Sequence, residues 1–460
     1  MATKPLIVLT CTPGKGHVNP ISTLAKALIL EGYQVTAVSS THYQPTFEAL
    51  GCSYVAIQGY GDYWDDDRET KWPERAALPP GPEQFSFTIE HSFVRVIPDQ
   101  FAAVQKAIAT LKERHPGRPV VVLNESAFLG SLPFMRGAAR GGMKPDGMIG
   151  IGINPVSLSS VDTAPFGPGL PPPTTPEQVA EYAGIKKHME ALFYTKPQAA
   201  FDEILRDLGA TVDGGFAFDA PYLWPDRFLQ MCPPSIMYPR SDAPDTFRYA
   251  GGLPRLPKEA KPRSEETVSD LPTWLQTEIV DNKTGKDIVF VCQGTVIFDY
   301  DALVVPTIEV MRERPNTLVV VVLGKRGAAL PEHVLSTLPE NVRVAEYLPY
   351  DEILPYSSVF VGNGGYGGVI HSVSHGTPMV LAGDTEDKAE MCAITAWAGA
   401  AVNLKTGRPT KEALRDGIEE VLTETKYKDA CRKIQAEMGS FDPIRVVAQN
   451  INEVVAGFKG

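Results

Sequence analysis

The chain has 460 residues, of which 43% are hydrophobic and 21% charged, and its formal net charge is −12. This composition is typical of a globular protein, and the length favours two domains. The negative charge argues against a nucleic-acid surface, because phosphate backbones require a concentrated basic patch.

The first 40 residues predict a strand, a loop, a helix and a second strand. Residues 6–10 are an apolar run, residues 12–17 are a glycine-containing loop, and residues 20–30 carry an apolar helical face before a second run at 34–39. Asn19 is expected to cap the helix, with proline in its first turn. Such a βαβ unit favours a doubly wound parallel sheet.

Further apolar runs fall into two groups. The predicted strands are residues 54–57, 120–123 and 148–153 in the first group, and 288–292, 317–323, 342–345, 359–361 and 379–382 in the second. Between the groups, residues 247–262 predict a last strand followed by a Pro- and Lys-containing linker. We therefore expect an N-terminal domain at 1–250, a C-terminal domain at 251–440 with a linker at 251–285, and a final helix within 441–460.

Cysteine usage and the absence of long apolar runs bear on the compartment. The cysteines show no metal-ligand spacing, which favours buried free thiols in a reducing compartment. The first apolar run predicts a strand and gives no secretion signal. No run approaches the ~20 apolar residues of a membrane span. We expect a cytoplasmic protein without a transmembrane segment. The cysteines are Cys11, Cys52, Cys232, Cys292, Cys392 and Cys431.

The stretch at 361–388, VGNGGYGGVIHSVSHGTPMVLAGDTEDK, carries the clearest ligand signal. It leaves a predicted strand and has five glycines among the seven residues 362–368. Glycines between a strand and a helix let the backbone approach an anion, which the free N–H groups of the helix start can bind. The polar cluster at 384–388 could hold the rest of the same ligand. The pattern predicts phosphate plus a polar group, and a nucleotide-sugar fits it.

Three kinds of site are candidates for the G-K-G-H segment that ends at His17: a dinucleotide-binding loop, a Walker loop and a histidine general base. A dinucleotide fingerprint fails, because Asn19 stands in place of its third glycine. A Walker loop fails as well, because Leu9 stands in place of its first glycine and Gly16 follows the lysine. The remaining hypothesis is a histidine general base, which the nearby helix N-terminus is expected to keep neutral. A purely structural role, in which His17 only hydrogen-bonds the loop, stays open.

The segments GKGHVNP at 14–20, QGT at 293–295 and NGGYGG with EDK at 363–388 resemble those of UDP-dependent glycosyltransferases of the two-domain GT-B fold. The similarity extends over nearly the whole chain and is greatest to fungal and bacterial members, including fungal enzymes that glucosylate hydroxylated lipids. It implies two doubly wound α/β domains facing a cleft, with acceptor in the N-terminal half and UDP-sugar in the C-terminal half. It also implies that the final helix packs back on the N-terminal domain.

The activity that the resemblance implies is inverting transfer of a sugar, with glucose as the default, from UDP to a hydroxyl of a small hydrophobic acceptor. Lipids, terpenoids, sterols and phenolics would all fit such an acceptor site. Two alternatives stay open because fold does not fix function. One is a UDP-sugar hydrolase or epimerase of the same architecture. The other is a non-catalytic nucleotide-sugar-binding subunit.

Residue roles also follow from the resemblance. His17 would be the base and Glu125, where many relatives have aspartate, would orient it; the alternative for Glu125 is an acid favoured by a helix N-terminus. Tyr347 would stack on uracil unless it is a core residue. His371 replaces a glutamate that binds ribose, and Lys388 replaces a glutamine that selects the sugar. The expected UDP-sugar contacts are Gln293, Gly294, Thr295, Tyr347, Leu348, Asn363, Gly364, Gly365, Gly367, Gly368, His371, Asp387 and Lys388.

No cofactor, metal, nucleic acid or obligate protein partner is expected beside the donor and the acceptor. Helix N-termini and glycine-loop amides would stabilise the charge of the leaving UDP. Asp65-Asp66-Asp67 contains the D-x-D pattern of metal-dependent glycosyltransferases of another fold, but we expect a solvated turn there. The insertions at 60–83 and 165–176, and the apolar region at 192–194, are candidates for acceptor contacts.

Overall fold

The computed structural model describes residues 3–79, 81–138, 144–257, 271–282, 285–294 and 298–458. These ranges leave out Thr295 of the predicted donor site, residue 80 of the first predicted insertion, and residues 258–270 and 283–284 of the predicted linker.

The N-terminal half is built on a parallel sheet. Its strands are β1 (Leu6–Thr10), β2 (Gln34–Ser39), β3 (Ser53–Ala56), β4 (Val120–Glu125), β5 (Gly147–Gly152), β6 (Arg227–Gln230) and β7 (Phe247–Tyr249). They lie in the order β3-β2-β1-β4-β5-β6-β7. The central strands β1, β4 and β5 are buried along their whole length. Burial on both faces explains why the chain shows them as continuous apolar runs.

A second parallel sheet forms the C-terminal half. Its strands are β8 (Asp287–Cys292), β9 (Thr317–Val322), β10 (Val342–Ala345), β11 (Val359–Gly362), β12 (Met379–Leu381) and β13 (Ala401–Asn403). They lie in the order β10-β9-β8-β11-β12-β13. The predicted fold class, two doubly wound parallel sheets, is confirmed. Strands β6 and β13 were not predicted, because RFLQ and AVN are too short and mixed to stand out.

Helices cover the faces of both sheets. In the N-terminal half they are α1 (Lys15–Leu30), α2 (Gln44–Ala49), α3 (Arg68–Lys71), α4 (Pro82–Thr88), α5 (Ile97–Arg114), α6 (Leu132–Met135), α7 (Pro176–Met189), α8 (Thr195–Asp207) and α9 (Ala220–Leu223). In the C-terminal half they are α10 (Val304–Met311), α11 (Glu332–Leu335), α12 (Tyr350–Ile353), α13 (Tyr366–Ser374), α14 (Lys388–Trp397), α15 (Lys411–Thr423), α16 (Thr425–Ser440) and α17 (Pro443–Val455). None of the helices that the structure describes combines the length and the apolar character that a bilayer crossing requires.

Short 3₁₀ and π turns connect or extend these helices. The 3₁₀ turns are Thr41–Tyr43, Gly59–Gly61, Asp65–Asp67, Pro73–Ala77, Leu129–Ser131, Pro234–Ile236 and Leu354–Tyr356. The π turns are Ile89–Val94, Glu190–Tyr194 and Leu275–Val280.

The start of α1 differs from the prediction. The helix begins at Lys15, so the predicted cap at Asn19 is wrong. The N–H groups of His17 and Val18 both donate to the carbonyl of Gly14, at 2.9 and 2.8 Å, and close the first turn there. His17 therefore belongs to the first turn of the helix and not to a loop.

The last helix, α17, packs against the N-terminal sheet. Val447 and Ile451 are fully buried in the same core as β1. Gly147 of β5 lies so close to α17 that a Cβ on this glycine would be 2.7 Å from the side chain of Val454. Arg248 of β7 donates to Asn450 at 2.8 Å. The chain thus returns from the second sheet to the first.

The carboxyl ends of the two sheets face a common cleft, as ligand sites in doubly wound folds do. The cleft has a volume of about 3830 Å³ and is lined by residues of both halves. Pockets for one small ligand usually measure roughly 300–1,000 Å³. The cleft therefore has room for two ligands.

Candidate active site

His17 and Glu125 come together at the ends of the neighbouring strands β1 and β4. His17 Nδ1 lies 3.3 Å from Glu125 Oε1. The Glu125 carboxylate is fully buried and accepts the backbone N–H groups of Thr12, at 3.2 Å, and Ala127, at 2.8 Å. These bonds fix the carboxylate against the imidazole. A proton on Nδ1 that is shared with Glu125 leaves Nε2 free to accept a proton.

Three carboxylates set the charge of His17. Burial lowers its pKa, but Glu125, Asp65 and Asp387 outweigh burial, and the pKa of His17 is raised from its ordinary value. Burial acts to raise the pKa of Glu125, yet His17 and the N–H donors hold it below its ordinary value. The net shift of the His17 pKa is therefore opposite in direction to the one expected from the helix N-terminus. Glu125 stays ionised and can balance an imidazolium.

The D-x-D segment is not simply a solvated turn, as the sequence suggested. The Asp65 side chain is only 17% exposed. Its Oδ2 accepts the backbone N–H of Lys15 at 2.5 Å and the hydroxyl of Tyr43 at 3.3 Å. Asp66 does stay at the surface, 56% exposed, with Lys325 of the other half at 3.5 Å. Asp65 therefore belongs to the wall of the site.

The glycine-rich turn after β11 presents backbone to the cleft. Gly364 has φ +77°, and a Cβ there would lie 2.3 Å from Cys392 Sγ, so only glycine fits. Gly365 precedes α13, and Gly367 and Gly368 lie in its first turn beside the cleft. N–H groups in the first turn of a helix have no acceptor within the helix. This turn can bind an anion such as a phosphate.

Gln293 and Asn363 use their side chains within the protein. Gln293 Oε1 accepts the N–H of Val304 at 3.0 Å and its Nε2 donates to the Asp299 carbonyl at 3.0 Å, which caps α10. Asn363 Nδ2 donates to the Gln293 carbonyl at 2.5 Å. These bonds join the ends of β8 and β11. Their contact with a donor stays a prediction, as does that of Gly294, which lines the cleft with φ +80°.

Asp351 lies beside His371 at the predicted nucleoside end of the site. His371 Nδ1 lies 3.3 Å from Asp351 Oδ1, and His375 Nε2 lies 3.0 Å from the same oxygen. Tyr347 is half-buried on the cleft wall, whereas the Leu348 side chain is buried in the core. The sequence interpretation missed Asp351, because nothing local links it to a helix that starts 15 residues later.

Asp387 and Lys388 follow β12 and carry opposite charges. The Lys388 ammonium pairs with Glu386 at 2.5 Å, a partner that the sequence interpretation left out. Burial acts to lower the pKa of Lys388, but Glu386 and Asp387 outweigh it, so the pKa is raised. Burial also raises the pKa of Asp387, although Lys388 opposes this effect. Lys388 is thus a charged, paired residue, and the contact of Asp387 with sugar hydroxyls stays a prediction.

Apolar side chains line the N-terminal side of the same cleft. They come from α4, the π turn after it, the 3₁₀ turn at Leu129–Ser131, α7 and the π turn that ends at Tyr194. Both insertions also reach the cleft, the first through Arg68 and Arg75 and the second through Phe166 and Leu170. The apolar lining includes Phe85, Ile89, Phe93, Leu129, Met189 and Phe193.

Besides the pair of Asp66 and Lys325, two hydrogen bonds described below join the halves beside the cleft, and neither was predicted. Tyr366 of the glycine-rich turn accepts a bond from Gln230 Nε2 at 3.0 Å. Glu390 of α14 accepts the N–H of Gly167, in the Pro-rich insertion, at 3.2 Å. Both pairs are more than 130 positions apart in the chain. No local sequence pattern could indicate them.

Comparisons with known proteins agree with this arrangement. Residues 319–454 match the family model for the C-terminal domain of erythromycin biosynthesis protein CIII-like proteins. UDP-glucosyltransferase A1 of Starmerella bombicola is 35% identical over 453 residues, which are 98% of this chain and 93% of that protein. UDP-glycosyltransferase 2 of Phaeomoniella chlamydospora is 35% identical over 454 residues, 98% of this chain and 96% of that protein.

A solved structure supports the fold. The glycotransferase of kitacinnamycin matches with a TM-score of 0.70 and 18% identity, over 99% of this chain and 100% of its own. Full-length similarity to named enzymes, together with the two facing sheets, confirms the resemblance seen in the sequence. The chain belongs to the UDP-glycosyltransferase family and is a glycosyltransferase of the GT-B fold.

Proposed function

We propose that the protein transfers glucose from UDP-glucose to a hydroxyl group of a small apolar acceptor, with inversion at the anomeric carbon. The observation that carries this proposal is the pairing of His17 with the buried Glu125 at 3.3 Å. His17 lines the same cleft as the glycine-rich turn and Asp387, while its partner Glu125 is fully buried. A base beside an anion-binding turn is what a direct displacement requires.

The proposed reaction is a single displacement. Nε2 of His17 takes the proton of the acceptor hydroxyl while its oxygen forms a bond to the anomeric carbon. The bond from that carbon to the β-phosphate oxygen breaks, and UDP leaves with the electron pair. Glu125 stabilises the imidazolium, as a buried carboxylate beside a histidine base does. Attack opposite the leaving group inverts the configuration.

The donor is proposed to lie along the C-terminal half. The N–H groups of Gly367 and Gly368 would bind the diphosphate, and no cofactor or metal is needed for this. His371 with Asp351 would bind the ribose hydroxyls in place of the family's glutamate. Asp387 would accept from the sugar hydroxyls. The two S. bombicola and P. chlamydospora relatives are named for UDP-sugars, which supports this donor class.

The acceptor is proposed to be an apolar molecule that carries a hydroxyl, such as a lipid, terpenoid, sterol or phenolic. The aromatic and aliphatic wall on the N-terminal side of the cleft supports this class. We infer a cytoplasmic location, which the six buried, unpaired cysteines favour because thiols persist in a reducing compartment.

The test is acceptor-dependent UDP release from UDP-glucose, measured with a panel of hydroxylated lipids, terpenoids and phenolics. Release that requires an acceptor, with a glucoside of inverted configuration as product, is expected. The same rate is expected in excess EDTA. Release without any acceptor would favour a hydrolase or epimerase, and UDP binding without release from any UDP-sugar would favour a binding subunit.

A further inference from the structure

The helix that carries His17 lacks a cap from its own sequence. Gly14 stands at its N-cap with no side chain to accept a bond, and no acidic residue lies in its first turn. The first N–H groups of a helix need acceptors, and Gly14 has no side chain to supply one. The first turn, which places the imidazole, therefore depends on a partner from elsewhere in the chain.

Asp65 is that partner, from 50 positions further on. Its Oδ2 accepts the N–H of Lys15, the first residue of α1, at 2.5 Å. Its Oδ1 lies so near Gly14 that a Cβ there would be 3.1 Å away. Tyr43 donates to Oδ2 at 3.3 Å, and Arg68 lies 3.8 Å from Oδ1. The carboxylate is thus held from two sides against the helix start.

The segment around Asp65 is anchored well enough to act as a support. Trp64, the residue before Asp65, stacks on His42 with 4.9 Å between the ring centroids. Tyr63 is fully buried and donates to the Ser92 carbonyl at 2.8 Å. Asp62 accepts both the N–H and the hydroxyl of Thr41 at 2.8 Å. These contacts hold the three residues before Asp65 against the turn after β2 and the π turn at Ile89–Val94.

We propose that Asp65 is a positioning residue for the transfer reaction: it holds the first turn of α1, and with it the imidazole of His17, where the acceptor proton is taken. This inference rests on the proposed role of His17 as base. Asp65 also acts on that base through charge. The carboxylates that face His17 are Glu125 from β4, Asp65 from the insertion and Asp387 from the C-terminal half, and all three raise its pKa.

Asp65 and its neighbour Asp66 allow a matched pair of substitutions. Asp65→Asn keeps an oxygen for the Lys15 N–H but removes the charge, whereas Asp66→Asn removes an exposed charge that is paired with Lys325. Since His17 acts unprotonated, the acidic limb of kcat/KM follows its pKa. We expect this limb to move to lower pH in Asp65→Asn and to coincide with the wild-type limb in Asp66→Asn. Asp65→Ala should lose roughly tenfold to a hundredfold in kcat, because the helix start is released.

An NMR titration of His17 gives a second readout that needs no turnover, so that a wrong acceptor or donor cannot hide the result. The expected result is a lower pKa of His17 in Asp65→Asn and no change in Asp66→Asn. Wild-type kcat in Asp65→Ala would overturn the positioning role, and an unchanged pKa with an unmoved acidic limb in Asp65→Asn would overturn the charge effect. If His17 titrates as expected while no transfer is found with any donor, the proposed function fails and the contact of Asp65 with the helix stands.

Discussion

Glu390 of the C-terminal half binds the backbone of the Pro-rich insertion of the N-terminal half, with 3.2 Å between its Oε2 and the nitrogen of Gly167. The carboxylate is only 3% exposed. Two residues on, Gly169 has φ +66°, and a Cβ there would lie 2.6 Å from the Ala389 carbonyl oxygen. Backbone thus meets backbone next to Asp387 and Lys388, and the Pro-rich insertion of the N-terminal half is joined to α14 of the C-terminal half.

The burial of the Glu390 carboxyl group predicts a pH-dependent stability. Burial raises the pKa of Glu390 from 4.5 to about 7. The folded state therefore holds the proton more tightly than the unfolded state. The stability from this group is fully present below about pH 4.5 and is lost as the pH rises through about 7. A pKa difference of this size corresponds to roughly 3 kcal/mol.

Glu390→Gln should consequently raise the melting temperature at about pH 8.5 and leave it nearly unchanged at about pH 5. The control is Glu453→Gln, since bonds from Arg248 and Gln449 lower the pKa of Glu453 and its pH dependence has the opposite sign. A Glu390→Gln protein that melts below the wild type at about pH 8.5 would contradict the assignment.

Glu125→Gln tests the partner of the base. The amide cannot stabilise an imidazolium as a carboxylate does, so kcat should fall by roughly 10²–10⁴. The pKa of His17 should fall as well, which moves the acidic limb of kcat/KM to lower pH. Glu125→Asp restores the charge on a shorter side chain and should recover part of kcat with a limb near that of the wild type. Wild-type kcat in Glu125→Gln would show that the pair has no role in the reaction.

Gly364 and Gly367 of the glycine-rich turn should behave differently when each is changed to alanine. Gly364→Ala puts a Cβ on Cys392 at a positive φ, which should cost about 1–3 kcal/mol of stability. Gly367 has no atom within 4 Å of a built Cβ. Gly367→Ala should therefore fold normally. It should bind UDP more weakly, because the added methyl group would occupy the space that we propose for the diphosphate. Calorimetry and UDP titration separate the two effects, and equal behaviour of the two variants would contradict this account.

Asp351 is predicted to replace the ribose-binding acid of the family. Asp351→Asn should raise the KM for UDP-glucose by roughly tenfold or more, because a hydrogen bond to a charged group is lost, with little change in kcat. The discriminating ligands are UDP and its 2′-deoxy and 3′-deoxy analogues. The variant should lose affinity for UDP but not for the analogue that lacks the bound hydroxyl. Parallel losses for all three would remove Asp351 from the ribose site.

The sequence was sufficient for the fold where elements are long and uniformly buried. β1, β4 and β9 appear as continuous apolar runs because helices cover both faces of each sheet. The short strands β6 and β13 have no such pattern. The start of α1 was misplaced because Asn19 and the proline after it form a strong local signal. A capping carboxylate 50 residues away outweighs that signal.

The candidate site was predictable only in part for the same reason. The pairing of His17 with Glu125 came from family motifs, because spacing alone cannot show that residues 108 positions apart share one sheet edge. Asp351, Glu386 and Glu390 were missed, since their roles depend on which helices and loops the fold brings together. Gln293 and Asn363 were expected at the ligand, yet their side chains hold the ends of two strands.

The most direct test of the central claim is the rate of acceptor glucosylation by His17→Ala, measured together with its affinity for UDP. His333→Ala serves as the control, because His333 is exposed on α11 and does not line the cleft. We predict a loss of roughly 10²–10⁴ in kcat for His17→Ala, the contribution of a general base, with an unchanged Kd for UDP. A His17→Ala protein that glucosylates acceptor at the rate of the wild type would contradict the account.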